Sequence, residues 1–114
     1  MEAASISALF EEARERIRSF ATLSTGWDDS DAQPVSDQSI EQASRLLNAF
    51  ASAARPPKVY PTPMGGVQLE YEGTNDYLEV EITGNHVTMY VESEDQEYEV
   101  KDQGDLIEAV MNAT

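Results

Sequence analysis

Gly66-Val67-Gln68-Leu69-Glu70-Tyr71-Glu72, followed by Tyr77-Leu78-Glu79-Val80-Glu81-Ile82-Thr83, alternates apolar and polar residues with period two. That period marks strands with one buried and one wet face, because successive side chains of extended backbone point to opposite sides. Val67, Leu69 and Tyr71 face one way, as do Leu78, Val80 and Ile82; Gln68, Glu70, Glu72, Glu79 and Glu81 take the other side. Turn residues bound both runs. Pro63-Met64-Gly65-Gly66 leads in, Gly73-Thr74-Asn75-Asp76 joins them, and Gly84-Asn85 is a two-residue hairpin signal before His86.

Downstream, His86–Glu92 reads as a further strand with Val87, Met89 and Val91 inward, and Glu97–Lys101 completes an antiparallel meander after the turn at Ser93–Gln96. Lys58–Thr62 reads as the first strand, and Pro61 confines it to an edge because proline has no N–H for a ladder. That edge also allows a homodimer. Upstream, Ile6, Leu9, Phe10, Ala13, Ile17 and Phe20 recur at steps of three and four, one stripe of an amphipathic helix over residues 5–21. Ser5 or Ser7 suits its cap. Arg14, Arg16 and Arg18 lie among Glu11, Glu12 and Glu15, a pattern that favours ion pairing within the helix over a basic patch. A second helix opens at Ser36-Asp37, buries Ile40, Ala43, Leu46, Leu47, Phe50 and Ala54, and stops at Arg55-Pro56-Pro57. A last short helix carries Leu106, Ile107, Val110 and Met111 inward. The expectation is a single α+β domain. Its helical part spans residues 1–57, its sheet 58–101 and its C-terminal helix 104–113, with the helices packed on one face of a four- or five-stranded antiparallel meander.

The turns predict a register. Closing Thr83 on His86 sets Val80 opposite Met89 and Glu79 opposite Tyr90; closing Glu72 on Tyr77 sets Leu69 opposite Val80 and Glu70 opposite Glu79. Closing Glu92 on Glu97 then sets Glu99 opposite Tyr90. The wet face becomes a grid of three rows: Glu70, Glu79, Tyr90, Glu99; Gln68, Glu81, Thr88, Lys101; and Glu72, Tyr77, Glu92, Glu97. Like charges opposed across strands each cost a few tenths to about 1 kcal/mol. A face kept only for solubility would mix signs. The candidate partner-binding residues are therefore Glu70, Glu72, Tyr77, Glu79, Glu81, Tyr90, Glu92, Glu97 and Glu99, with the two tyrosines as anchors among carboxylates.

Charge bounds the partner. Of 114 residues, 22 are acidic and 7 are lysine or arginine, a formal net charge of −15. The imbalance concentrates in residues 59–114, which hold thirteen acids and one base. Direct binding to nucleic acid or to an anionic membrane is disfavoured, since phosphate contacts need Lys and Arg; a basic protein partner fits. Solubility alone is the plainer account of the same acidity. The absence of cysteine removes disulfides and thiolate chemistry and agrees with a reducing, cytoplasmic setting. Met1-Glu2-Ala3-Ala4-Ser5-Ile6 carries no secretory-signal pattern, and no run approaches the roughly 18 apolar residues of a membrane span.

Residues 23–36 form a long polar connection holding the sole tryptophan, Trp27, with Asp28, Asp29 and Asp31. Trp27 reads first as an anchor whose N–H meets a carbonyl, and second as a partner-binding hot spot. The aspartates do not form a calcium loop: counted from Asp29, Pro34 falls where glycine is needed and Ile40 where glutamate is. No metal or other cofactor is expected. Catalysis is not expected either. The one histidine, His86, sits beside a hairpin turn with no nucleophile motif, and Glu70 with Glu79 would act as a carboxylate dyad only inside a closed pocket.

Gly26-Trp27-Asp28-Asp29, Ala32-Gln33-Pro34-Val35-Ser36 and Pro57–Tyr71 are similar to a family of small bacterial and phage-borne proteins. Its members show a Gly-Trp-Asp-Gly loop and a Gly-Gly-Val-x-Leu-Glu-Trp strand. The resemblance spans about residues 20–83. It implies a shared fold and a bacterial or phage-infected cell, with Trp27, Asp28, Gly65, Gly66 and Glu70 as parts of a common framework or site. This chain departs at Asp29, where the family favours glycine, and at Tyr71, where it favours tryptophan. The functional expectation is a non-catalytic acidic binding factor: an inhibitor, an antitoxin-like or immunity-like protein, or a small assembly subunit. The alternative is a nucleic-acid mimic that blocks the channel of a defence nuclease.

Overall fold

The computed structural model describes residues 5–114. The signal-peptide reading rests mainly on residues 1–4 and lies outside the described residues. The first helix, α1 (Ile6–Ser19), starts where the Ser5 hydroxyl accepts the Ala8 N–H at 3.1 Å, and it buries Ala13 and Ile17. A 3-10 turn, Phe20–Thr22, follows. Ile6, expected inward, stays exposed. The arginines also depart from expectation. Arg14 does pair with Glu11 at 3.4 Å, but it also donates to the Ser44 carbonyl at 3.2 Å and to Asn48 Oδ1 at 3.3 Å, tying α1 to the next helical segment. Arg16 donates to the Val59 carbonyl at 2.9 Å and lies over the rings of Phe20 and Tyr60.

Helix α2 (Asp37–Leu46) is capped by Ser36, whose hydroxyl accepts the Ser39 N–H at 3.1 Å. After Leu46 the chain tightens into a 3-10 turn over Leu47–Phe50. With three residues per turn the apolar stripe rotates, and Ala53 is buried where Ala54 was expected. Ser39 is fully buried yet satisfied: its hydroxyl meets Ser36 Oγ at 2.7 Å and accepts the Gly84 N–H at 2.8 Å, fastening α2 to a sheet hairpin.

The sheet comprises β1 (Lys58–Pro61), β2 (Val67–Glu72), β3 (Tyr77–Thr83), β4 (His86–Val91) and β5 (Gln96–Glu99), all antiparallel and side by side in chain order. β1 is an edge, as Pro61 requires. Val59, Val67, Leu69, Leu78, Val80, Ile82, Val87 and Met89 point into one core with Ile17, Leu47 and Phe50. The Phe50 ring meets Tyr71 edge-on, centroids 5.4 Å apart. Helix α3 (Gln103–Ala113), capped by the Asp102 carboxylate, adds Leu106, Val110 and Ala113. Ile107 and Met111, expected inward, are exposed: α3 touches the core along one narrow line. No helix among the described residues is long and apolar enough to cross a membrane.

The β2–β3 and β3–β4 registers follow the turns as expected, Glu70 opposite Glu79 and Glu79 opposite Tyr90. The last hairpin differs by two residues. β4 ends at Val91, residues Glu92–Glu94 form a 3-10 turn, and Asp95 turns left-handed at φ +50°, so Val91 faces Gln96. A side chain from another hairpin helps place this turn, for Asp76 accepts the Ser93 N–H at 3.0 Å and its hydroxyl at 2.5 Å. Glu97 therefore faces Tyr90 and Glu99 faces Thr88; Glu92 and Glu97 are not opposed, and Lys101 lies outside the sheet.

Candidate functional site

The outer sheet face is built by alternation alone. The helices pack on the inner side, leaving Glu70, Glu79, Glu81, Tyr90, Glu97 and Glu99 on a shared surface that none of them shelters. One row reads Lys58, Glu70, Glu79, Tyr90, Glu97; the next reads Tyr60, Gln68, Glu81, Thr88, Glu99. Lys58 was not foreseen in the grid. Glu72 and Tyr77 form a third row, whereas Glu92 is exposed in its 3-10 turn beyond the strand.

The directly opposed carboxylates of Glu70 and Glu79 are bridged. The Tyr77 hydroxyl lies 3.1 Å from Glu70 Oε1 and 3.0 Å from Glu79 Oε1, and the Gln68 amide donates to Glu70 Oε2 at 3.0 Å. One phenolic hydrogen thus serves two acceptors, and the pair tolerates its repulsion through neutral donors. No lysine or arginine lies within 4.0 Å of any sheet carboxylate among the described residues. The two ion pairs there, Arg14–Glu11 and Arg45–Glu41, are internal to helices. Two shallow hollows open on this face, about 150 Å³ beside Glu70 and about 50 Å³ beside Glu79, and neither holds both carboxylates.

Tyrosine acidity records the field. Partial burial, then the hydrogen bonds to Glu79 and Glu70, push the Tyr77 phenol well above the ordinary value near 10. Tyr90 is raised by its hydrogen bond to Asp95, 2.8 Å, and Tyr98 by its bond to Glu94. The fold favours the neutral Tyr77, so the stability that this group contributes is intact below pH 10 and is lost as pH climbs through the raised value. Tyr77→Phe is expected to delete the latest-ionising component from a phenolate absorbance titration; a curve missing an earlier component would contradict this arrangement.

The Trp27 loop is held by its own hydrogen bonds and by the β1–β2 connection. The Trp27 indole N–H donates to the Gln33 carbonyl at 2.9 Å, the expected anchor, and Asp28 Oδ1 accepts the N–H groups of Ser30 and Ala32. Asp31 is exposed, and among the described residues no group of three acidic, histidine or cysteine side chains is placed to hold a metal. The loop joins the β1–β2 connection: Gln33 N–H meets the Pro63 carbonyl and Ser36 N–H meets the Gly65 carbonyl. Asp28, Gly65 and Gly66 thus belong to neighbouring backbone turns, while Glu70 lies on the sheet face. Asp29 adopts φ +63°. Its side chain gains nothing there to offset the left-handed backbone, so Asp29→Gly is expected to raise stability by about 0.5 kcal/mol in urea unfolding.

A further feature was not foreseen. On the helix side, a cavity of about 450 Å³ opens between β4–β5 and α3, floored by Leu78, Met89, Val91 and Ala109 and rimmed by Asp76, Glu94, Asp105 and Glu108. It exists because α3 crosses near the sheet end without covering Tyr98, a placement that no local pattern encodes. Comparisons with protein-family models, with curated proteins and with solved structures find no match to this chain.

Proposed function

We propose that the chain is a non-catalytic acidic binding protein that docks a basic partner through the outer sheet face. One observation carries the reading: glutamates from three strands share an unsheltered surface, and none has a cationic side chain within 4.0 Å. Lys58, opposite Glu70, offsets part of the negative potential, and the remainder is left for a partner to neutralise, which speeds encounter and selects against acidic surfaces. Tyr77 and Tyr90 supply apolar ring area between the carboxylates, as interface anchors do. An inhibitor, an antitoxin-like or immunity-like factor, or a small assembly subunit fits this arrangement.

The test is capture of binding proteins from host extract at low and high salt, with the wild-type chain beside a variant whose face charges are reversed. A basic protein held by the wild type and not by the variant supports the reading; equal retention by both overturns it. Competing duplex DNA extends the experiment to the nucleic-acid-mimic alternative, in which the captured protein is displaced by DNA.

A further inference from the structure

The two edges of the sheet differ in what their backbones offer. At β1 the Thr62 N–H donates to the Gly66 carbonyl at 2.9 Å, so the alternation of an antiparallel ladder turns Lys58 and Tyr60 toward β2 and Val59 and Pro61 outward. That edge is closed: Arg16 occupies the Val59 carbonyl, and Pro61 has no N–H to give. At β5 the Val100 N–H donates to the Val87 carbonyl at 2.9 Å. The same alternation turns Gln96 and Tyr98 toward β4 and leaves the N–H and C=O of Glu97 and Glu99 facing the open side. All four β5 residues are exposed.

Residues opposed in a ladder share a face. Any strand added antiparallel to β5 sets the residues opposite Glu97 and Glu99 on the carboxylate face, in the hydrogen-bonding positions. The residue between them, opposite Tyr98, shares the helix-side face with the Tyr98 ring, which lies between it and Met89 of β4 and lines the 450 Å³ cleft. Asp105 and Glu108 stand at the cleft mouth. A second copy of β5 is a poor occupant, because it would bring glutamate against glutamate. We infer that the open edge of β5 binds an extended partner segment in which lysine or arginine alternates with apolar residues, added as a sixth strand whose apolar residue packs beside the exposed Tyr98 ring. This rests on the reading of the partner as basic, and it names the partner's conformation and pattern. Main-chain hydrogen bonds supply attachment and the alternating side-chain contacts supply selection, as in strand addition generally.

The probe is a synthetic blocked peptide with the core Val-Lys-Leu-Lys-Val, compared with its Val-Glu-Leu-Glu-Val counterpart and with a form N-methylated at both lysines. The lysine peptide is expected to slow amide exchange at Glu97 and Glu99 at least about tenfold, and N-methylation to weaken binding by a similar factor. Glu97→Lys with Glu99→Lys is expected to reverse the preference toward the glutamate peptide. Absence of binding, or equal binding by the N-methylated peptide, overturns the inference without touching the face reading, which stands or falls on Glu70, Glu79 and Glu81. Peptide binding that depends on those three residues and ignores N-methylation separates the two in the same way.

Discussion

Replacing Glu70, Glu79 and Glu81 by lysine is expected to lower affinity for a basic partner roughly 100-fold, at about 1 kcal/mol for each reversed charge on a wet face. The three side chains belong to adjacent strands, and Glu70 stands directly opposite Glu79. Reversal removes attraction and adds like-charge contact, which hinders encounter as well as the final complex. Two of the substitutions also break the Tyr77 bridge, so the single variant Glu81→Lys serves as the control. Glu81 faces Gln68 and Thr88, neither of them charged. Glu81→Lys leaves the bridge intact and is expected to weaken binding about fivefold while the unfolding midpoint does not fall. Unchanged binding by the triple variant in titration calorimetry would remove the face from the function.

Gly66→Ala is expected to destabilise the fold by about 3 kcal/mol, a large part of the 5–15 kcal/mol typical of a domain. Gly66 is buried where β2 begins, its N–H donating to Thr62 Oγ1 at 3.0 Å. A Cβ built there lands inside the contact distance of the Ile82 carbonyl oxygen and close to Thr83 Oγ1. The obstructing atom is backbone, so relief requires opening the β2–β3 ladder at Val67–Ile82. Neighbouring Gly65 is constrained differently, holding φ +84° in the turn before the strand. The measurement is urea unfolding; a loss below about 1 kcal/mol would show that the strand pair shifts to admit a methyl group.

The central sheet was legible in the sequence because its turns are local. Gly73–Asp76 and Gly84–Asn85 bring neighbouring strands together through residues whose preferences can be read directly, and alternation then fixes which side is wet. The β4–β5 register was not legible. It depends on the left-handed Asp95 and on Asp76 reaching Ser93 from a different hairpin, a contact that exists only once the sheet has formed. Arg16 shows the same limit: its spacing from the helix glutamates reads as an ion pair, whereas its guanidinium caps a carbonyl 43 residues away. Ile107 and Met111 read as core because their spacing is helical, yet the stripe that meets the core runs through Leu106, Val110 and Ala113. Of the candidate site, the face was foreseen and the cleft beneath β5 was not.

The crowding of unneutralised glutamates has a consequence for the protein when it is alone. Mobile counterions damp their mutual repulsion in the folded chain, so added electrolyte should make the free protein sturdier. If the face docks a cationic mate as proposed, the same ions shield those glutamates from it and loosen the grip. Fold and attachment are therefore tuned in opposite directions by one environmental variable: the solution in which this molecule is hardiest by itself is the one in which it holds least.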